Sequence, residues 1–278
     1  MIARAGDVGK DRSGTAAFAG HWYQGKAEIS RYELSQARYG QTHSGDAVLI
    51  FVTEDFLPKK QVKADGPRSR TGAWPILKMN FTKKFKTGIY PYSIMTSVFS
   101  PVDLANRPHT LKTSTTVQEW CGHTFLQLNL NDDRYRVRGY SYFQSEGDED
   151  FTLDRAWLED EFWTRIRLDP ASLPTGKIQV IPGAEQHRLR HRPLKVEEAT
   201  ATLADAGNGL RRFDLEYAKE GRKLSITYQS EFPHRIEGWT ETHSGRTTTA
   251  RRTHTEMLPY WSRNGNADRA LRKKLGLD

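Results

Sequence analysis

Glu119, Trp120, Cys121 and His123 fall within five residues of one another, in the stretch Thr115–Leu130 (TTVQEWCGHTFLQLNL) that holds the chain's one cysteine. A thiol beside an imidazole is the minimal set for a thiolate nucleophile, and a carboxylate can orient the imidazole. Cys121, His123 and Glu119 are therefore the candidate catalytic residues. Spaced by two, they share one face of a regular strand, and Trp120, Gly122 and Thr124 share the other. Such neighbours lie about 6.5–7 Å apart at Cα, so a direct Cys–His hydrogen bond demands favourable rotamers on both sides. The competing reading makes Cys121 a small buried hydrophobe and gives His123 a local hydrogen bond. A sheet could also gather His109, Glu119 and His123 with His234 or His243 around a metal. The chain has no HExxH, no paired CxxC and no EF-hand loop, and neither a metal nor another cofactor is expected. The acidic turn Glu146–Asp150 reads as a solvated lead-in rather than a calcium loop.

The elements that must position these residues read mainly as strands. Aromatic residues make up 11% of the chain against 36% hydrophobic residues overall, a balance that favours pleated faces filled by Tyr, Phe and Trp. Lys26–Arg38 reads as a strand whose phase changes near Ser30 and Arg31, as at a bulge. The six apolar residues Ala47–Val52 read as a strand buried on both faces, and the two form a hairpin. Pro58–Pro75 is a basic excursion, after which Lys78–Pro101 returns to strand composition, broken by Gly88 and Pro91. In Asp132–Phe143, Tyr135 and Val137 alternate with Arg134, Arg136 and Arg138, the pattern of a half-buried strand with an arginine-rich outer face. Leu153–Arg167 carries the one wide apolar stripe of helical period, capped by Thr152 or Asp154, and Asp169–Pro170 stops it. Gly176–Gly183, Arg211–Tyr217, Lys223–Gln229 and Arg235–His243 are further strands, with a hairpin around Lys219–Arg222. The expected fold is mainly β: a curved antiparallel sheet or partial barrel with one principal helix at about 153–167. A disordered lead-in is expected over residues 1–20, a single β-rich domain over 21–262, and a short basic helix or tail over 263–278.

Other function classes find little footing. The net charge of +8, from 42 basic and 34 acidic residues, attracts anionic partners. It is spread along the chain, with concentrations at His187–Arg192, Arg251–His254 and Leu271–Lys274, so nucleic acid is disfavoured as a partner. The mixed face of Tyr135–Phe143 superficially suggests an RNA-binding sheet, but the helices that scaffold needs are too few. One cysteine excludes an intramolecular disulfide. No run of 18 apolar residues spans a membrane, and the first twenty residues show no signal-peptide core. There is no GxSxG elbow, Walker loop or GxGxxG after a strand.

The strings WYQGKAEISRYELSQARYG, AVLIFVTEDF, KKQVKAD, FTKKFKTGIYPYSIMTSVF, TSTTVQEWCGHTFLQLN and LPTGKIQVIPGAEQHRLRHRPLKVEEATATL, spread from Trp22 to His243, resemble an uncharacterised family of Bacteroidota and related bacteria. Its members often carry the label "septum formation inhibitor Maf", and many look like envelope lipoproteins with an N-terminal lipoprotein signal. True Maf proteins are α/β nucleotide pyrophosphatases that open on an S-x-S-x-x-R-x-x-L type motif; this chain has none, and no Maf catalytic residue is carried over. The resemblance implies a cell-envelope or periplasmic location and no known reaction. The chain shows no lipoprotein signal, which leaves the cytoplasm open.

Together these readings point to a non-enzymatic envelope protein that binds an apolar or amphiphilic ligand, a lipid or another envelope component on a curved sheet. Trp120, Tyr140, Tyr142, Trp157 and Trp163 are the candidate ligand-binding aromatics, with the helix as lid or wall. The alternatives are a hydrolase or transferase centred on Cys121 and His123, and an anionic-surface binder using His187–Arg192 and the Arg134–Arg138 face.

Overall fold

A computed structural model describes residues 15–66 and 70–277. The alternating residues of the N-terminal half pair into one antiparallel run. It comprises β1 (Ala27–Arg38), β2 (Gln41–Leu57), β4 (Trp74–Thr87), β5 (Tyr90–Pro101), β6 (Lys112–Glu119), β7 (Gly122–Asn131), β8 (Arg134–Ser141) and β9 (Glu149–Asp154), with the two-residue β3 (Val62–Lys63) added to β2. The C-terminal half supplies β10 (Trp157–Leu158), β11 (Gly176–Ile181), β12 (Glu197–Gly207), β13 (Leu210–Tyr217), β14 (Arg222–Gln229), β15 (Ile236–His243) and β16 (Arg246–Leu258). β1 pairs with β16, so the two halves fuse into a single sheet whose order runs from β10 through β16 to β1 and on to β9. Every neighbour is antiparallel except β10 against β11. The sheet is mainly β, curved and open, as expected.

The edges of this sheet, β9 and β10, are separated in sequence only by Arg155 and Ala156. Leu126, Leu128, Tyr135 and Val137 of β7 and β8 pack in one cluster with Leu158, Ile181 and Ala184 from the other edge. The sheet therefore curls until its two ends share a core. Gly238 lets β15 and β16 close tightly, since a Cβ there would meet the Ala250 carbonyl oxygen at 2.3 Å. The bulge expected near Ser30 and Arg31 appears as a register shift between Arg31 and Tyr32 against β16.

The helices are short: α1 (Ala16–Trp22), α2 (Glu161–Leu168), α3 (Ala184–Arg190) and α4 (Ala270–Lys274). Eight residues are too few to hold a helix by propensity, and α2 exists because it is enclosed: all its residues are buried. Phe162 packs on Phe213 of β13 (ring centroids 4.8 Å), and Trp163 sits between Phe81 of β4 (5.0 Å) and Trp239 of β15 (5.2 Å). Each such ring stabilises the fold by roughly 1.5–3 kcal/mol on burial. Polar residues of α2 are tied to the surrounding wall. Thr164 Oγ1 meets Ser100 Oγ at 2.6 Å, and Arg167 donates to both oxygens of Glu28 on β1 at 2.7 and 2.8 Å.

This corrects the expected helix over 153–167. Glu149–Asp154 is strand β9, its Phe151 and Leu153 packing on the β7–β8 core while Arg134 and Arg136 of β8 pair with Asp154 and Asp150. Trp157 belongs to β10, and Asp160, not Thr152 or Asp154, stands at the N-cap of α2. Ordered structure also begins earlier than residue 21, because Phe18 and Trp22 anchor α1 in the core; residues 1–14 of the expected lead-in lie outside the described residues.

Candidate functional site

Strand direction divides the loops between two ends of the sheet. At one end lie the β1–β2, β4–β5, β6–β7, β13–β14 and β15–β16 turns together with α3; at the other lie the β2–β4 and β5–β6 connections and the β7–β8 turn.

Cys121 stands at the first end. β6 stops at Glu119 and β7 starts at Gly122, so Trp120 and Cys121 form a tight hairpin turn rather than the middle of a strand. The three spaced residues consequently do not share a face. Glu119 turns inward, buried, and accepts from Arg188 of α3 at 2.8 Å and from the Cys121 backbone N–H at 2.8 Å. His123 is exposed and pairs in register with Gln118. Cys121 is exposed, not the buried hydrophobe expected, because a two-residue turn leaves no neighbouring layer to cover it. Glu119's hydrogen bond and negative charge push the thiol up, the opposite of nucleophile activation. No hydrogen bond joins Cys121 to His123 among the described residues, and none of their groups of His, Cys, Asp and Glu is placed to hold a metal.

The aromatic candidates also separate. Trp163 is core and Trp157 packs on Phe162 beside Arg165, whereas Trp120, Tyr140 and Tyr142 are exposed near the other end of the wall. α2 fills the concave interior, so the helix is a plug and not a lid. The residues considered for an anionic surface, His187–Arg192 and the Arg134–Arg138 face, are engaged in pairs. Arg188 pairs with Glu119, Arg190 with Glu241, His191 with Glu146 and Arg192 with Glu220; Arg136 and Arg138 share Asp150.

Beneath α3 lies a buried polar network. Glu159 accepts from Arg222 at 2.5 and 2.6 Å and from Tyr217 at 2.6 Å; Arg222 also donates to Glu241 at 2.8 Å, and Lys83 pairs with Glu185 at 2.7 Å. Burial opposes the Arg222 charge, but Glu159 and Glu241 outweigh it and raise its pKa. Asp160, beside Glu159 and Glu185, is pushed by burial and by those carboxylates to about 7. With Asp160 protonated, Glu159, Glu185 and Glu241 balance Lys83, Arg190 and Arg222. These groups clamp α3 over the mouth of the sheet.

At the opposite end a cleft of about 1170 Å³ opens between the β2–β4 and β5–β6 connections and the β7–β8 turn. Leu57, Trp74, Pro108, Leu111 and Leu130 form its apolar surface, and Lys59, Lys60, Arg107 and Asp132 stand around it. Arg107 lies over the Trp74 ring at 4.2 Å. His109 lines the cleft with a buried Nδ1 that has no hydrogen-bond partner among the described residues. Burial, then the Arg155 and Arg165 charges, lower its pKa, so the ring is neutral at pH 7. Periodicity could not have found this site, since its residues come from three connections that no local pattern links. The cluster of Lys59 and Lys60 with Gly and Pro was the available signal.

No family model matches the chain, and no curated protein resembles it in sequence. A crystal structure of a β-barrel-like protein of domain of unknown function DUF1849 from Brucella abortus matches 84% of this chain and 97% of its own, with a TM-score of 0.49 at 10% identity.

Proposed function

We propose that the protein is a non-enzymatic binder of an amphiphilic ligand with an anionic head, held in the cleft between the β2–β4 and β5–β6 connections. The observation that carries this reading is the cleft itself: an apolar surface the size of a lipid-like ligand, flanked by Lys59, Lys60 and Arg107. Such pockets pair a mainly apolar lining with a few polar groups that fix orientation. The half-buried His109 ring adds a polar side chain to the cleft wall. Because α2 fills the interior, the ligand is held at the end of the sheet and not within its curve. A cell-envelope location, implied by the family resemblance, belongs to the same reading, and cell fractionation with an antibody to the chain checks it.

The test is titration with a fluorescent fatty acid followed by displacement with unlabelled fatty acid. Saturable binding, weakened about tenfold by Leu130→Asp and more mildly by Lys59→Glu with Lys60→Glu, is expected. Binding indifferent to Leu130→Asp in a folded variant overturns the assignment.

A further inference from the structure

The hairpin tips at the α3 end carry large apolar residues that face solvent. Ile89 in the β4–β5 turn is 83% exposed, Trp120 in the β6–β7 turn 68%, Tyr39 in the β1–β2 turn 60%, and Tyr142 just beyond β8 71%. Tight turns normally carry polar residues; here their outermost side chains are apolar or aromatic.

These side chains form one row. Tyr39 Oη and Tyr92 Oη are 2.8 Å apart, Tyr92 packs on Tyr90 at 5.7 Å, and Tyr90 stacks with Trp120 at 6.3 Å. Gly122, next in the turn, lies so close to Tyr142 that a Cβ would meet its Cβ at 2.8 Å. The contacts fix the row from Tyr39 to Tyr142 without covering its outer faces.

Charge at this rim is unequal. Arg38 lies over the Tyr39 ring at 4.3 Å, and Lys86, Lys219 and Arg246 are exposed around the same turns. Two carboxylates of the rim are paired with arginines, Glu119 with Arg188 and Glu220 with Arg192, and Glu146 is buried in hydrogen bonds with His191 and Ser141. Asp148 on the β8–β9 connection and Glu216 at the end of β13 are exposed acids set against these cations.

We propose that this rim docks on the surface of an anionic phospholipid bilayer, with Ile89, Trp120, Tyr39 and Tyr142 entering the headgroup region. Indole and phenol rings favour that zone because one end is apolar and the other hydrogen-bonds. Lysines and arginines near the surface add attraction to anionic lipid. Separate protruding tips suit a fluid interface, which fills the spaces between them, whereas a rigid protein partner would need a matching relief. The rim lies at the opposite end from the cleft and stands independently of the ligand reading.

Two measurements on the full chain test it. The first is co-sedimentation with vesicles of phosphatidylcholine alone or mixed with phosphatidylglycerol. The second labels Cys121 with an environment-sensitive fluorophore, which sits between Trp120 and Gly122 at the tip. Binding to the mixed vesicles, a blue shift of the Cys121 label, and about tenfold weaker partitioning for Ile89→Ser with Trp120→Ser are expected; substitution of exposed turn residues leaves the fold intact. Equal sedimentation of wild type and variant, a label that stays aqueous, or an absence of binding to the mixed vesicles overturns the proposal. So does a concentration-dependent dimer without lipid that the double substitution abolishes, since a second copy would then be what covers the rim.

Discussion

Replacing Arg167 by Met tests whether α2 is held in the sheet by its buried ion pair. Arg167 and Glu28 are both fully buried, joined by contacts of 2.7 and 2.8 Å, and Arg167 Nε also donates to the Pro233 carbonyl at 2.9 Å. Its guanidinium lies over Trp22 at 5.0 Å and Phe51 at 4.7 Å, contacts that a methionine of similar reach partly replaces. The main loss is electrostatic: Glu28 stays buried, with His21 at 3.0 Å and Arg235 at 3.8 Å as its remaining partners. Removing one partner of a buried pair costs about 3–5 kcal/mol. For a chain near this size that corresponds to a fall in melting temperature of roughly 6–20 °C.

The pH dependence separates this cause from lost packing. In the wild type, burial raises the Glu28 pKa, but the Arg167 charge and the hydrogen bonds from His21 and Arg167 outweigh it and hold the carboxyl far below the usual range. A depressed pKa contributes stability above the unfolded value of about 4.3 that is lost as pH falls below it. Without Arg167 the burial effect dominates, the folded carboxyl moves up, and its contribution reverses sign. The Arg167→Met deficit should therefore shrink as pH drops from 7 toward 5. Glu28→Leu with Arg167→Met should recover at least half of it, because an apolar pair leaves no stranded charge. Thermal melts by circular dichroism at several pH values are the assay. A loss below about 1 kcal/mol, or a deficit independent of pH, refutes the reasoning.

Three further outcomes are expected. Trp163→Ala should cost about 3–5 kcal/mol in denaturant melts, since its ring fills the space between Phe81 and Trp239. Cys121 should react with iodoacetamide slowly at neutral pH, with a rate that climbs only at alkaline pH and a midpoint above that of a free thiol, because Glu119 raises its pKa; a fast reaction at pH 7 would contradict the geometry. Asp160, with a folded pKa of about 7 against an unfolded value near 3.9, contributes stability at low pH that is lost as pH rises through 7. Asp160→Asn should therefore stabilise more at pH 8 than at pH 5, as melting temperatures at the two values will show.

Much of the fold was legible in local pattern. The alternation of Tyr135 and Val137 with Arg134, Arg136 and Arg138 corresponds to β8, with the apolar side buried. The phase change at Ser30 and Arg31 became a bulge, and Lys219–Arg222 turns the β13–β14 hairpin. A strand with one buried face declares itself in two-residue periodicity whatever its partners are. Residues 153–158 misled because Leu153 and Trp157 satisfy two periods at once, and the pairing partners that select strand, β8 for Leu153 and β11 for Trp157, are supplied by tertiary structure.

The candidate site divides along the same line. The sequence by itself determined that Glu119, Cys121 and His123 are close, and that a sheet rich in aromatics surrounds them. Only the tertiary structure decided what they do there. A hairpin turn placed the thiol in solvent, α3 brought Arg188 to Glu119, and α2 filled the hollow in which a ligand was expected. It also gathered Leu57, Trp74, Leu111 and Leu130 into a cleft, and lined Tyr39, Ile89, Trp120 and Tyr142 along one rim. Each of those outcomes joins residues far apart in the chain, and such contacts are set by the pairing of β1 with β16 and the curl of the whole sheet, which no local spacing encodes.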